Sequence, residues 1–165
     1  MPAAAVAALS KAQVSELSSK AVKGFTSEQV ESLPKSTFKA LEVKQLAKLT
    51  KEAVSGLTKG QLKTLTGDKL TVFKPGKIKS ISEDAISGLK WKALDDLSKR
   101  QVKAFTCDQL EALSKKQVNK ADDFVDKLSN KQVGCLSFDP GRSSRLMDPF
   151  ESPNDLLLPG LDPLA

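Results

Sequence analysis

From residue 9 to residue 135 the chain repeats itself every eight residues, and no other feature narrows its folding options as far. Representative units are 9–16 (LSKAQVSE), 57–64 (LTKGQLKT), 97–104 (LSKRQVKA) and 105–112 (FTCDQLEA), and the unit 121–127 (ADDFVDK) is one residue short. The first position is Leu, Phe or Ile except at Ala121, and the sixth is Val, Leu, Ile or Phe in every full unit. In the short unit, Val125 keeps the three-residue distance to the next first position. Ser or Thr dominates the second position, Asp122 takes it in the short unit, and Pro34, Glu42, Lys74 and Lys90 are the departures. Every glutamine of the chain, Gln13, Gln29, Gln45, Gln61, Gln101, Gln109, Gln117 and Gln132, stands at the fifth position.

These offsets have a physical meaning. A hydroxyl with Gln three residues later is a capping box, in which the side-chain oxygen accepts the N3 amide and the Gln side chain returns to the cap amide. Each unit therefore opens a helix, and its sixth residue and the next first residue, three apart, share one face. A single long helix fails, because an eight-residue stripe drifts about 80° per unit around an α-helix and no partner can follow it. Strands, as in a β-solenoid, fit less well: offsets of five and three alternate the apolar residues between faces, and Lys, Ala, Leu and Gln are poor strand formers.

Two aliphatic side chains cannot offset the entropy of ordering eight residues, so each unit must stack on neighbours. The expected fold is all-α: a superhelical α-solenoid of short capped helices over 9–138, preceded by an N-terminal cap segment at 1–8 and followed by a tail at 139–165. Gly24, Gly56 and Gly88, 32 residues apart at unit ends, suggest four octads per turn, with a left-handed glycine closing those helices. The tail holds five of the eight prolines and two Arg against five Asp or Glu, which predicts a disordered acidic appendage of charge −3 beside an array of +9. Its Leu156, Leu157, Leu158 and Leu161 suit a hydrophobic cap over the last unit.

Composition speaks about chemistry too. The chain has no His and no Tyr, which removes the commonest general base and a frequent metal ligand. Cys107 and Cys135 form no framework or zinc spacing and are expected to be unpaired; Cys107, at a third position, is expected to be accessible but lacks an activating partner. Asp122, Asp123 and Asp126 are the densest acidic cluster, and helix capping by Asp122 explains them better than a metal. No signal peptide or membrane span is legible, which with the cysteine usage favours a cytoplasmic location, and no cofactor is implied.

Function is therefore expected on a surface, in a non-enzymatic scaffold or protein-binding module with no small-molecule substrate. Trp91, the sole Trp, and Val43 are large apolar residues off the two core positions, and with Lys92 and Arg100 they are the candidate partner contacts. Asp148, Pro149 and Phe150 form a candidate docking motif in the tail, a tripeptide that resembles one recognised by endocytic adaptor domains. Lysines spread over the third, fourth, seventh and eighth positions support a second possibility: weak, salt-sensitive binding to nucleic acid, acidic polysaccharide or membrane head groups.

The motif L-[ST]-x-x-Q-[VIL]-x-x resembles the tandem octad repeats of large bacterial proteins and, more loosely, is similar to the superhelical repeats of the mesothelin and stereocilin group. The resemblance covers residues 9–136. It implies a helical superhelix with an adhesive or scaffolding surface, and it brings no catalytic residue with it.

Overall fold

A helix starts about once every eight residues throughout the computed structural model, which describes residues 2–138, and seven of these helices open on a hydroxyl with a glutamine three residues later. Among the described residues there are seventeen helices and no strand. They are α1 (Ala3–Ala7), α2 (Lys11–Ser15), α3 (Ser19–Lys23), α4 (Ser27–Ser32), α5 (Lys35–Phe38), α6 (Val43–Leu46), α7 (Lys51–Ser55), α8 (Lys59–Leu62) and α9 (Gly67–Leu70). There follow α10 (Pro75–Ile78), α11 (Glu83–Ile86), α12 (Trp91–Asp95), α13 (Lys99–Val102), α14 (Cys107–Glu111), α15 (Lys115–Lys120), α16 (Asp122–Asp126) and α17 (Asn130–Val133). The first of these lies before the expected start of the array: Val6, three residues ahead of Leu9, is fully buried, and α1 packs on α4.

From α1 to α12 each helix packs on the one three further along. One column runs α1, α4, α7, α10, α13; a second runs α2, α5, α8, α11, α14; a third runs α3, α6, α9, α12, α15. The chain is thus a superhelical α-solenoid with three helical columns, and the sixth- and first-position side chains form one continuous core from Val6 to Leu136.

The glutamines join one turn to the next. In all eight units that have one, Gln Oε1 accepts the N–H of its own cap residue, at 2.7–3.1 Å. The other end of the same amide reaches the turn below. Gln61 Nε2 donates to the carbonyls of Val30 and Leu33, and Gln109 Nε2 to those of Ile78 and Ile81, residues 31 and 28 positions earlier. Gln45, Gln101, Gln117 and Gln132 repeat the arrangement. Where the fifth residue is not Gln, Lys69 donates to the carbonyls of Lys39 and Leu41, Lys77 to that of Ala47, and the Thr37 hydroxyl to that of Leu9. One turn therefore spans between three and four octads, not four.

The glycines play another part than the expected one. Gly24 and Gly56 sit at φ −83° and −84°, ordinary right-handed backbone, so no left-handed closure occurs. What Gly56 and Gly88 provide is close approach. A β-carbon on Gly56 would overlap the backbone of Ser27, and one on Gly88 the carbonyl of Lys59, each 29 residues earlier. Both units carry Ala at the fifth position, Ala53 and Ala85, both buried. These units lie directly against the turn below, where the Gln units reach across to it.

The short unit also departs from expectation. Asp122 does not cap α16: Ala121 is at once the last residue of α15's cap and the N-cap of α16, and Asp122 falls at the first helical position. Losing a residue removes the extended linker that a capping hydroxyl needs. The apolar face is restored by Phe124, fully buried, while Val125 is half-buried. Phe124 lies edge-on to Phe105, with ring centroids 5.4 Å apart, and α16 packs on α12 and α15.

Candidate functional site

Trp91 and the lysines about it

Lys90 opens α12 as an N-cap without a side-chain cap bond, and Trp91 follows at the first helical position. The indole is half-buried, its inner side packed on the core and the rest left at the surface. The Lys92 ammonium stands 5.5 Å from the ring centroid, a cation–π distance. Beneath lies buried Leu89, the first residue of the same octad. The turn below contributes Lys63, and the turn above contributes Ser114, Lys116 and Gln117. Together they enclose a hollow of about 530 Å³ with an apolar floor of indole and leucine, an ammonium rim of Lys63, Lys90, Lys92 and Lys116, and no carboxylate in its wall. The upper wall is fixed, because Gln117 Nε2 donates to the carbonyls of Ser87 and Leu89.

Of the expected contact residues, Trp91 and Lys92 come together here. Val43, 41% exposed at the start of α6, and Arg100, exposed on α13, do not line the hollow. Asp148, Pro149 and Phe150 lie outside the described residues, as does the whole tail from residue 139. Sequence reasoning singled out Trp91 but missed Lys63 and Lys116. They are 28 residues before and 25 after it, so only knowledge of the turn length would have found them.

The cysteines

Cys107 and Cys135 are not unpaired: they form a disulfide, with Cα atoms 5.1 Å apart and a sequence separation of 28. That separation is one turn of the superhelix, which stacks the start of α14 beneath the end of the last unit. Cys107 is half-buried and offers no thiol. A second hollow, of about 730 Å³, adjoins the bridge, with Lys79, Lys103 and Lys131 in its wall.

Charges partly buried within the array

Lys69 and Lys77, which take the place of Gln, have ammonium pKa values below the usual lysine value. For Lys69 burial is the main cause, Lys39 adds to it and Glu42 opposes it. For Lys77 burial again leads, with Lys74 and Lys48 adding to it. Asp95 accepts the Phe124 N–H, and its carboxyl pKa is raised, first by burial, with Asp123 adding and the Phe124 bond opposing. Among the described residues no group of three or more His, Cys, Asp or Glu converges, and no helix is long and apolar enough to cross a membrane. Comparison with protein-family models, with curated proteins and with solved structures gives no match.

Proposed function

We propose that this chain is a non-enzymatic binding scaffold whose Trp91 hollow takes an acidic, partly apolar segment of a partner protein. The observation that carries the proposal is the pairing of an indole and leucine floor with four ammonium groups and no carboxylate in the wall. A large aromatic in a concave, partly desolvated setting is the usual anchor of a protein contact, and the ammonium rim selects carboxylates by charge while steering their approach.

The test is affinity capture from the native host at about 0.5 M salt, beyond the range of simple screened attraction. A specific protein retained by the wild-type chain and lost by both Trp91→Ala and the double variant Lys63→Ser/Lys116→Ser supports the proposal. The lysines about the second hollow, Lys79, Lys103 and Lys131, favour a second reading, adherence to anionic polymers. That reading prevails if retention is confined to heparin or DNA, vanishes as salt rises to about 0.2 M, and is the same for Trp91→Ala.

A further inference from the structure

We infer that the occupant of the Trp91 hollow in the isolated chain is its own C-terminal segment, residues 151–165, which an outside acidic partner must displace. This inference rests on the binding reading above and goes further, by naming the competitor and so a form of self-regulation.

Three observations carry it. The first is charge. Both Arg of the tail, Arg142 and Arg145, precede residue 151, and from there on the chain carries Glu151, Asp155 and Asp162 with no basic residue. An anionic segment thus belongs to the same molecule as a hollow walled by four lysines and no carboxylate. The second is apolar content. Leu156, Leu157, Leu158 and Leu161 lie between Asp155 and Asp162, an apolar run flanked by carboxylates, which matches an apolar floor flanked by ammonium groups.

The third is reach. The last described residues stand beside the hollow: the Ser137 hydroxyl donates to the carbonyl of Glu111, at 3.5 Å, and Glu111 precedes Ser114 of the upper wall by three residues. Three residues span at most about 11 Å, while residues 139–150 stretch to about 40 Å. The tether is longer than the gap, and a tether of this length confines its end to an effective concentration in the millimolar range. Weak contacts suffice at that concentration.

Trp91, the sole Trp in a chain without Tyr, reports directly. Emission and iodide quenching are compared between the full wild-type chain and a full-length tail variant, Asp155→Asn, Asp162→Asn with Leu156, Leu157 and Leu158→Ser. A synthetic peptide of residues 151–165 is then titrated into each. The expected result is a red-shifted, more readily quenched indole in the tail variant. The peptide should reverse that shift, binding about tenfold or more tightly to the variant than to the wild type. Carbodiimide should also join Asp155 or Asp162 to Lys63, Lys92 or Lys116 within wild-type monomers.

Equal emission and quenching in the two proteins, with equal peptide affinity, overturns self-occupancy and leaves the acidic-segment reading standing. If the peptide binds neither protein and emission is equal, both fall. Cross-links only between molecules overturn the intramolecular form.

Discussion

One glutamine amide holds each of the turn-joining units at two points, and it is the residue on which the architecture turns. Its oxygen closes the capping box and its nitrogen ties the helix to carbonyls one turn earlier. The sequence makes the first role legible, since the hydroxyl is only three residues away. It hides the second, because nothing local marks a partner 28 or 31 positions back. Gln61→Ala removes both, leaving the buried Leu33 carbonyl without a donor and the Val30 carbonyl with only the Leu33 N–H, an expected cost of about 2–4 kcal/mol. Gln13, in an early unit, is exposed and makes the capping bonds only, so Gln13→Ala is expected to cost about 1 kcal/mol. Urea titration of the two variants measures the difference, and equal costs would mean that the inter-turn bonds contribute nothing.

Lys69 and Lys77 perform the nitrogen's task with a charge. Their folded pKa values lie below 10.5, so between the lowered values and 10.5 the unfolded chain binds more protons than the folded one, and stability rises with pH across that window. The double variant Lys69→Gln/Lys77→Gln keeps a donor and removes the titration. Thermal melts from about pH 8 to about pH 10.5 are expected to show the wild type gaining on this variant. Parallel curves would refute the assigned burial penalty.

At the scale of elements, the octad predicts where helices begin but not how an irregular unit is repaired. The loss of one residue at 121–127 moves the core role from the expected Val125 to Phe124 and fuses the end of α15 to the start of α16. The repair lies close to where the chain also carries its only covalent cross-link. α17 is the last helix of the array; besides Gln132, the bridge between Cys107 and Cys135 holds it to the turn beneath. Two cysteines 28 residues apart look unrelated until that distance is recognised as a turn of the superhelix. This is why the sequence suggested free thiols. Closing a loop of this size restricts the unfolded chain by about 3–4 kcal/mol. Reduction is therefore expected to lower the melting midpoint of the wild type and leave Cys107→Ser/Cys135→Ser, already lowered, unchanged. A wild-type midpoint indifferent to dithiothreitol would show that the bridge adds no stability.

For the whole molecule, the columns make every contact a neighbour contact. Among the described residues the helix pairs in contact lie within one turn of each other, so stability accumulates turn by turn, and the first and last described turns each have a described turn on one side. The number of octads per turn was not legible because the eight-residue pattern is the same whichever column a unit occupies. Sequence marks that follow the superhelix are residues that meet across it, such as Gly56 over Ser27 and Gly88 over Lys59, and there the partners are an ordinary serine and lysine. The same blindness kept Lys63 and Lys116 out of the expected site around Trp91. Nearest-neighbour stability has a measurable consequence in hydrogen exchange. Amides of α5–α12, covered by a turn on each side, are expected to exchange slowest, and those of α1–α3 faster by the stability of one missing interface, commonly tens- to hundreds-fold at about 2–3 kcal/mol. The end that bears α17 should fall between them while its disulfide is intact and join the fast class once it is reduced. Uniform protection along the array would mean that the turns open together, and the picture of independent interfaces, with a C-terminal turn clamped by sulfur, would have to be given up.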